Sequence, residues 1–128
     1  MAGPNYVLDK GFLAGGAITK YHVVKLASPE TVTAATAIAD DILGVCQEEV
    51  TSGDATNGRI VDIRLAGISR CIAGTGGVTA GKQVMVLAGG TGRVTDAVGA
   101  TARVLGIALQ TATVGTHVDV LLTHGGVL

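Results

Sequence analysis

The sequence predicts a small all-β domain, a barrel or sandwich built from two tandem copies of one unit, with an extended N-terminal arm ahead of it. Three observations carry this. Residues 32–45 read V-T-A-A-T-A-I-A-D-D-I-L-G-V, and residues 94–107 read V-T-D-A-V-G-A-T-A-R-V-L-G-I. The match runs back without a gap through Val24/Val86 to Lys20/Lys82, and it resumes after a slip of five residues with Val61-Asp62-Ile63 against Val118-Asp119-Val120. Short β-branched runs are evenly spaced with turn residues between them, as in small sandwiches and barrels. No helical pattern of about 10–15 residues separates the runs, which argues against βαβ units. The copies span about residues 16–65 and 78–122. Halves this short bury little surface alone, so a single domain over 16–128 with one shared core is expected.

The elements follow in order. Residues 1–15 stand outside the repeat and form the arm. Gly3-Pro4-Asn5, Gly11 and Gly15-Gly16 make it pliant, and it carries Tyr6 and Phe12, two of the three aromatics in the chain. Aromatic anchors on such an arm suggest docking onto another surface, with Pro4, Tyr6, Val7, Leu8, Phe12 and Leu13 as the partner-binding side chains. The arm is expected to be disordered in the free protein and ordered on its partner. The alternative is an arm that folds back to plug its own barrel. Strands are expected at Tyr21–Leu26, Thr31–Ala34, Ile42–Glu49, Arg59–Leu65, Ile68–Ala73, Gln83–Leu87, Gly92–Thr95, Val104–Gln110 and His117–Thr123. The turns after Leu26 and Leu87 are equivalent and join hairpins. The Ala-rich stretches Thr36–Asp41 and Val98–Arg103 each have room for one helical turn, too short to stand alone. Gly44 and Gly106 match in the two copies and mark tight contacts that tolerate little bulk.

Composition narrows the function classes. Glycine contributes 20 of 128 residues and charged residues only 15%, against about 25% in typical domains. With so few aromatics the core must be Val, Ile, Leu and Ala. A mean hydropathy of +0.52 points to apolar surface that needs a partner, so an oligomer or assembly is expected. The net charge of −1 offers no basic patch for phosphates, which speaks against nucleic-acid binding. No apolar run approaches the roughly 18–20 residues of a membrane span, and the first residues do not read as a signal peptide. Cys46 and Cys71 lie in apolar strand contexts and read as buried small hydrophobes, not a bridge or a zinc site.

No motif supports catalysis. Gly76-Gly-Val-Thr-Ala-Gly81-Lys82 begins like a phosphate-binding loop. Gln83 stands where the magnesium-binding hydroxyl belongs, and a strand follows instead of a helix, so the run reads as the turn linking the repeats. His117 and Asp119 alternate on one strand face, but a metal needs further ligands converging there. Asp40-Asp41 and Glu48-Glu49 point to opposite faces and read as solvated or edge charges. Ser28, Ser52 and Ser69 have no local His partner. The expectation is a non-enzyme with no catalytic residue, no metal and no cofactor.

Val24-Lys25-Leu26, Val32-Thr33-Ala34-Ala35 and Ile42-Leu43-Gly44-Val45 are followed by Val61-Asp62-Ile63-Arg64-Leu65-Ala66-Gly67 and Val78-Thr79-Ala80-Gly81. Val104-Leu105-Gly106-Ile107-Ala108 and Val118-Asp119-Val120-Leu121-Leu122 complete the set. In that order and spacing, over about residues 16–122, they resemble the capsid cement, or head decoration, proteins of tailed bacteriophages. The resemblance implies a barrel or β-tulip fold and a homotrimer on the outer surface of the expanded virion head, assembled in the host cytoplasm. It implies the major capsid protein as partner, no nucleic acid, no membrane and no catalytic residues. The competing expectations are a tail or baseplate adaptor, a surface-layer or adhesin-like module, and a biotinyl- or lipoyl-type carrier. The carrier would need Lys20 or Lys82 at a hairpin tip with a recognisable flank.

Overall fold

The computed structural model describes residues 7–37, 40–87, 89, 92–96 and 103–127, with backbone alone for 124–127. Among them the strands are β1 (Leu8–Ala14), β2 (Val23–Ser28), β3 (Thr31–Ala34), β4 (Ile42–Cys46), β5 (Ile60–Ile72), β6 (Gln83–Val86), β7 (Val94–Thr95), β8 (Arg103–Ala108) and β9 (His117–Val127), with one short helix, α1 (Ser52–Thr56). The expected strands are present apart from shifts at their ends, and the two on either side of Ala66-Gly67 are one continuous β5. The stretch expected to turn helically at 98–102 lies outside the described residues.

The strands run β1-β3-β2-β4-β5-β9-β8-β6-β7, and β1 also pairs with β5. That last pairing closes β1 to β5 into a five-stranded barrel. β1 lies antiparallel to β5 (Phe12 opposite Val61) and parallel to β3 (Ala14 opposite Val32). The second half repeats the arrangement from the other end of β5. Cys71 lies opposite Val118 as Phe12 does Val61, and Ala73 bridges Val94 in parallel as Ala14 does Val32. β5 therefore serves both halves, as the last stave of the first and the first stave of the second.

This corrects two expectations. Residues 8–14 are not a free arm outside the repeat; they are the first stave of the first copy, and their counterpart is 67–73. Nor is there one shared core. Phe12, Ala14, Ile18, Val24, Val32, Cys46, Val50, Val61 and Ile63 form one buried cluster. Their counterparts Cys71, Ala73, Val78, Val84, Val94, Ala108, Ala112, Val118 and Val120 all lie in the other. The period-2 alternation of each strand sends one set of side chains into its own barrel, so two barrels make two interiors. The second cluster also takes in Val23, Ala35 and Val45 from the first half.

Register also corrects the ungapped part of the repeat. Val24 lies opposite Gly44, and Val84, not Val86, lies opposite Gly106. The Tyr21 N–H donates to the Cys46 carbonyl at 2.8 Å as the Gly81 N–H does to Ala108, also at 2.8 Å. The true partner of Lys82 is His22, and the second hairpin loop is two residues longer. Tyr21 consequently holds φ 67 where its counterpart Gly81 holds 84, and Glu30 holds φ 61 where Gly92 holds 102. The five-residue slip is α1. Thr51 caps it, with the Asp54 N–H donating to the Thr51 hydroxyl and the Thr51 N–H to the Asp54 carboxylate, a reciprocal box that makes so short a turn worth forming.

Asp40 braces the loop between β3 and β4. It accepts the N–H groups of Thr36 (2.8 Å) and Ala37 (2.9 Å) and pairs with Lys25 at 3.4 Å. Burial opposes the charged form, but those donors and Lys25 outweigh it, and the carboxyl sits below the ordinary aspartate value. A carboxyl held low in the fold stabilises it above about pH 4, and the contribution is lost as pH falls through the folded value. Wild-type stability toward urea is therefore expected to fall more steeply below about pH 4 than that of Asp40→Asn. Equal pH slopes would remove Asp40 from the acid response.

Candidate interaction surface

The side chains expected to dock a partner separate in the fold. Pro4 and Tyr6 lie outside the described residues. Val7 is 41% exposed and Leu8 57%, at the start of β1. Phe12 is only 6% exposed, with the Lys10 ammonium 4.3 Å from its ring centroid. Leu13 is half-buried between its β3 and β5 partners, Thr31 and Ile60. Phe12 is thus a core residue and not a free anchor, because the period-2 alternation of β1 turns it inward.

The residues weighed for chemistry hold the fold together. The His117 ring meets the Tyr21 ring edge-on at 5.5 Å, and Asp119 faces Arg70 at 3.9 Å. Glu48 takes Arg59 at 3.1 Å and the Asp62 N–H at 3.0 Å. Glu49 accepts the Lys20 N–H, and Asp41 pairs with Arg103 at 2.9 Å. No group of three His, Cys, Asp or Glu side chains converges among the described residues. Ser69 is buried, and its hydroxyl accepts from Gln47 at 2.9 Å. Cys46 and Cys71 are free and buried, and burial pushes both thiols up, away from the reactive thiolate. In the glycine-rich run at 76–82, residues 76–79 wall a groove of about 340 Å³ against residues 111–114. Gly76, Gly77 and Gly81 all take positive φ there, so it is a turn, with β6 following.

One outward row distinguishes the halves. In the first half, direct cross-strand partners run Val23, Val45, Arg64, Asp9 across β2, β4, β5 and β1. Val23 and Val45 are fully buried against the second half. Arg64 grips Asp9 through two nitrogens at 2.9 and 3.1 Å, and that hydrogen bonding raises the guanidinium pKa further. The corresponding row of the second half runs Gln83, Ile107, Leu121, Ile68 across β6, β8, β9 and β5. Leu121 is 39% exposed and Leu109, two residues beyond Ile107, is 46% exposed. Ile107 and Ile68 are half-buried. At the Ile68 end of the row, Tyr21, Gln47, Arg64, Ile68, Arg70 and Asp119 line a mostly polar cleft of about 300 Å³ between the halves. Sequence reasoning missed this row because Leu121-Leu122 puts leucine on both faces of β9, which hides the outward one.

No protein-family model matches the chain, and no curated protein does. Among solved structures, it is similar to the N base of the head fiber protein gp8.5 of bacteriophage phi29. The TM-score is 0.66 at 17% sequence identity, covering 96% of this chain and 98% of that one. The chain therefore shares, over nearly its whole length, the fold of that head fiber base.

Proposed function

We propose that this chain is a structural virion protein of a tailed bacteriophage: a cement protein on the outer surface of the expanded head that clamps neighbouring major capsid subunits. The observation that carries the reading is the nearly full-length likeness to a phage head fiber base, which agrees with the resemblance drawn from the β motifs. A scaffold of two barrels sharing a long strand suits the task, since repeated weak contacts add up through high effective concentration. Val7 and Leu8, exposed at the start of β1, offer apolar contacts to the shell. The role requires no catalytic residue and no cofactor.

Co-sedimentation with purified heads tests it. Saturable binding to expanded, undecorated heads but not to precursor heads, at a fixed ratio to major capsid protein, is the expected result. Failure to bind either form would overturn the cement role in favour of a tail or baseplate adaptor or a surface module.

A further inference from the structure

We propose that Asn57 is a site of spontaneous covalent modification, ageing to aspartate and isoaspartate at a rate set by the opening of α1. Of the two asparagines in the chain, only Asn57 precedes a glycine, Gly58, and it is exposed. In the reaction the Gly58 backbone nitrogen gives up its proton and attacks the side-chain carbonyl carbon of Asn57. A C–N bond forms there, the bond from that carbon to the side-chain nitrogen breaks, and the nitrogen leaves with the proton as ammonia. Solvent water then opens the resulting succinimide at either carbonyl, giving aspartate or its isomer isoaspartate. Glycine favours the attack because it places no side chain beside its nitrogen and its backbone turns freely.

Closed α1 blocks this ring closure. Asn57 is the C-cap of the helix with ψ 7, which eclipses the Gly58 nitrogen with the Asn57 backbone nitrogen and turns it away from the side chain. The Gly58 N–H also donates to the Ala55 carbonyl at 3.1 Å, and the Arg59 N–H to Asp54 at 3.1 Å. Attack requires rotation about that backbone bond, which breaks these contacts. Yet α1 opens readily. None of its residues is buried, and it is closed by the Thr51–Asp54 cap and by Arg59 on the Asp54 carboxylate at 3.2 Å. An exposed turn held this way sits at the low end of local stability. Isoaspartate routes the backbone through the former side chain and adds a methylene to it. The bonds from Gly58 and Arg59 back into α1 then lose their register, and the turn that packs Ala55 against the first cluster does not reclose. The reaction is thus a one-way release of α1, and it stands apart from the capsid reading.

Peptide mapping by mass of the full chain, stored at mildly alkaline pH, reads the fraction of Asn57 converted and separates aspartate from isoaspartate. Folded wild type is expected to convert at Asn57, with isoaspartate the main product, but more slowly than the same chain held unfolded in guanidinium chloride. Conversion should quicken as pH rises, because the attacking nitrogen must shed its proton. Thr51→Ala removes the cap hydroxyl and should speed conversion about fivefold, the change expected from a typical N-cap loss. Asp54→Ala, which removes the other half of the cap and the partner of Arg59, is the second variant, and both are checked for an unchanged far-UV spectrum. Folded wild type that stays intact while the unfolded chain converts overturns the proposal. Equal rates for folded and unfolded chain, or for wild type and both variants, overturn the control by α1.

Discussion

Gly106→Ala and Gly44→Ala are each expected to lose more than about 3 kcal/mol of stability, although each adds a single methyl group. The two glycines are counterparts, and a Cβ on either runs into the same obstacle. On Gly44 it strikes the backbone carbonyl of Arg64 and presses Ile63 Cγ2 at 3.1 Å; on Gly106 it strikes the carbonyl of Leu121 and presses Leu122 Cα at 3.1 Å. Arg64 and Leu121 occupy the same place in the two registers, opposite Val45 and Ile107. A flexible side chain would swing aside, but these carbonyls belong to the β4–β5 and β8–β9 ladders, so relief requires moving a strand. Gly16, with nothing within 4 Å of its would-be Cβ, is the control, and Gly16→Ala should stay within about 0.5 kcal/mol of wild type. Urea unfolding of the three variants measures this. Losses under about 1 kcal/mol at both Gly44 and Gly106 would mean that the strands separate more easily than their packing implies.

That pair also shows what the sequence made legible. At Gly44 and Gly106, where a neighbouring strand carbonyl leaves no room for a Cβ, the two copies kept glycine, and the pair stands out with its Ile/Val-Leu neighbours. Where only burial is required, the copies drifted. β1 reads L-D-K-G-F-L-A and its counterpart at 67–73 reads G-I-S-R-C-I-A, sharing little beyond a closing alanine, so the first stave looked like an arm. A barrel interior accepts Phe12 in one copy and Cys71 in the other as long as total volume is met elsewhere. The second cluster has other side chains to fill it, including Val23 and Val45 from the first half. α1 was invisible for a different reason: Ser52-Gly53-Asp54-Ala55-Thr56 has poor helix propensity, and only the reciprocal Thr51–Asp54 cap defines it. Ala66-Gly67 read as a break between strands. Gly67 does take φ 98, but there β5 passes from one barrel to the other without ending. The outward row depends on cross-strand register, which no local pattern specifies.

Phe12→Ala is expected to destabilise the free protein by about 3–5 kcal/mol, the usual range for emptying a buried phenylalanine site. Leu8→Ala, on the same strand but 57% exposed, should change stability by no more than about 0.5 kcal/mol. The contrast separates two roles for the first fourteen residues. Were β1 only a docking arm, Phe12→Ala would leave the melting of the free chain unchanged and weaken only its attachment to a partner. As a stave, β1 joins β3 to β5 and closes the first barrel, and Phe12 is the largest side chain in that barrel's cluster. Its loss leaves a cavity in a cluster built otherwise of Val, Ile, Ala and Cys side chains. Deleting residues 1–14 should go further, since it removes a strand that pairs on both edges and exposes the β3 and β5 edges together; that variant should be unfolded or aggregated. Thermal and urea melts of free Phe12→Ala that overlay wild type would return β1 to the role of an arm.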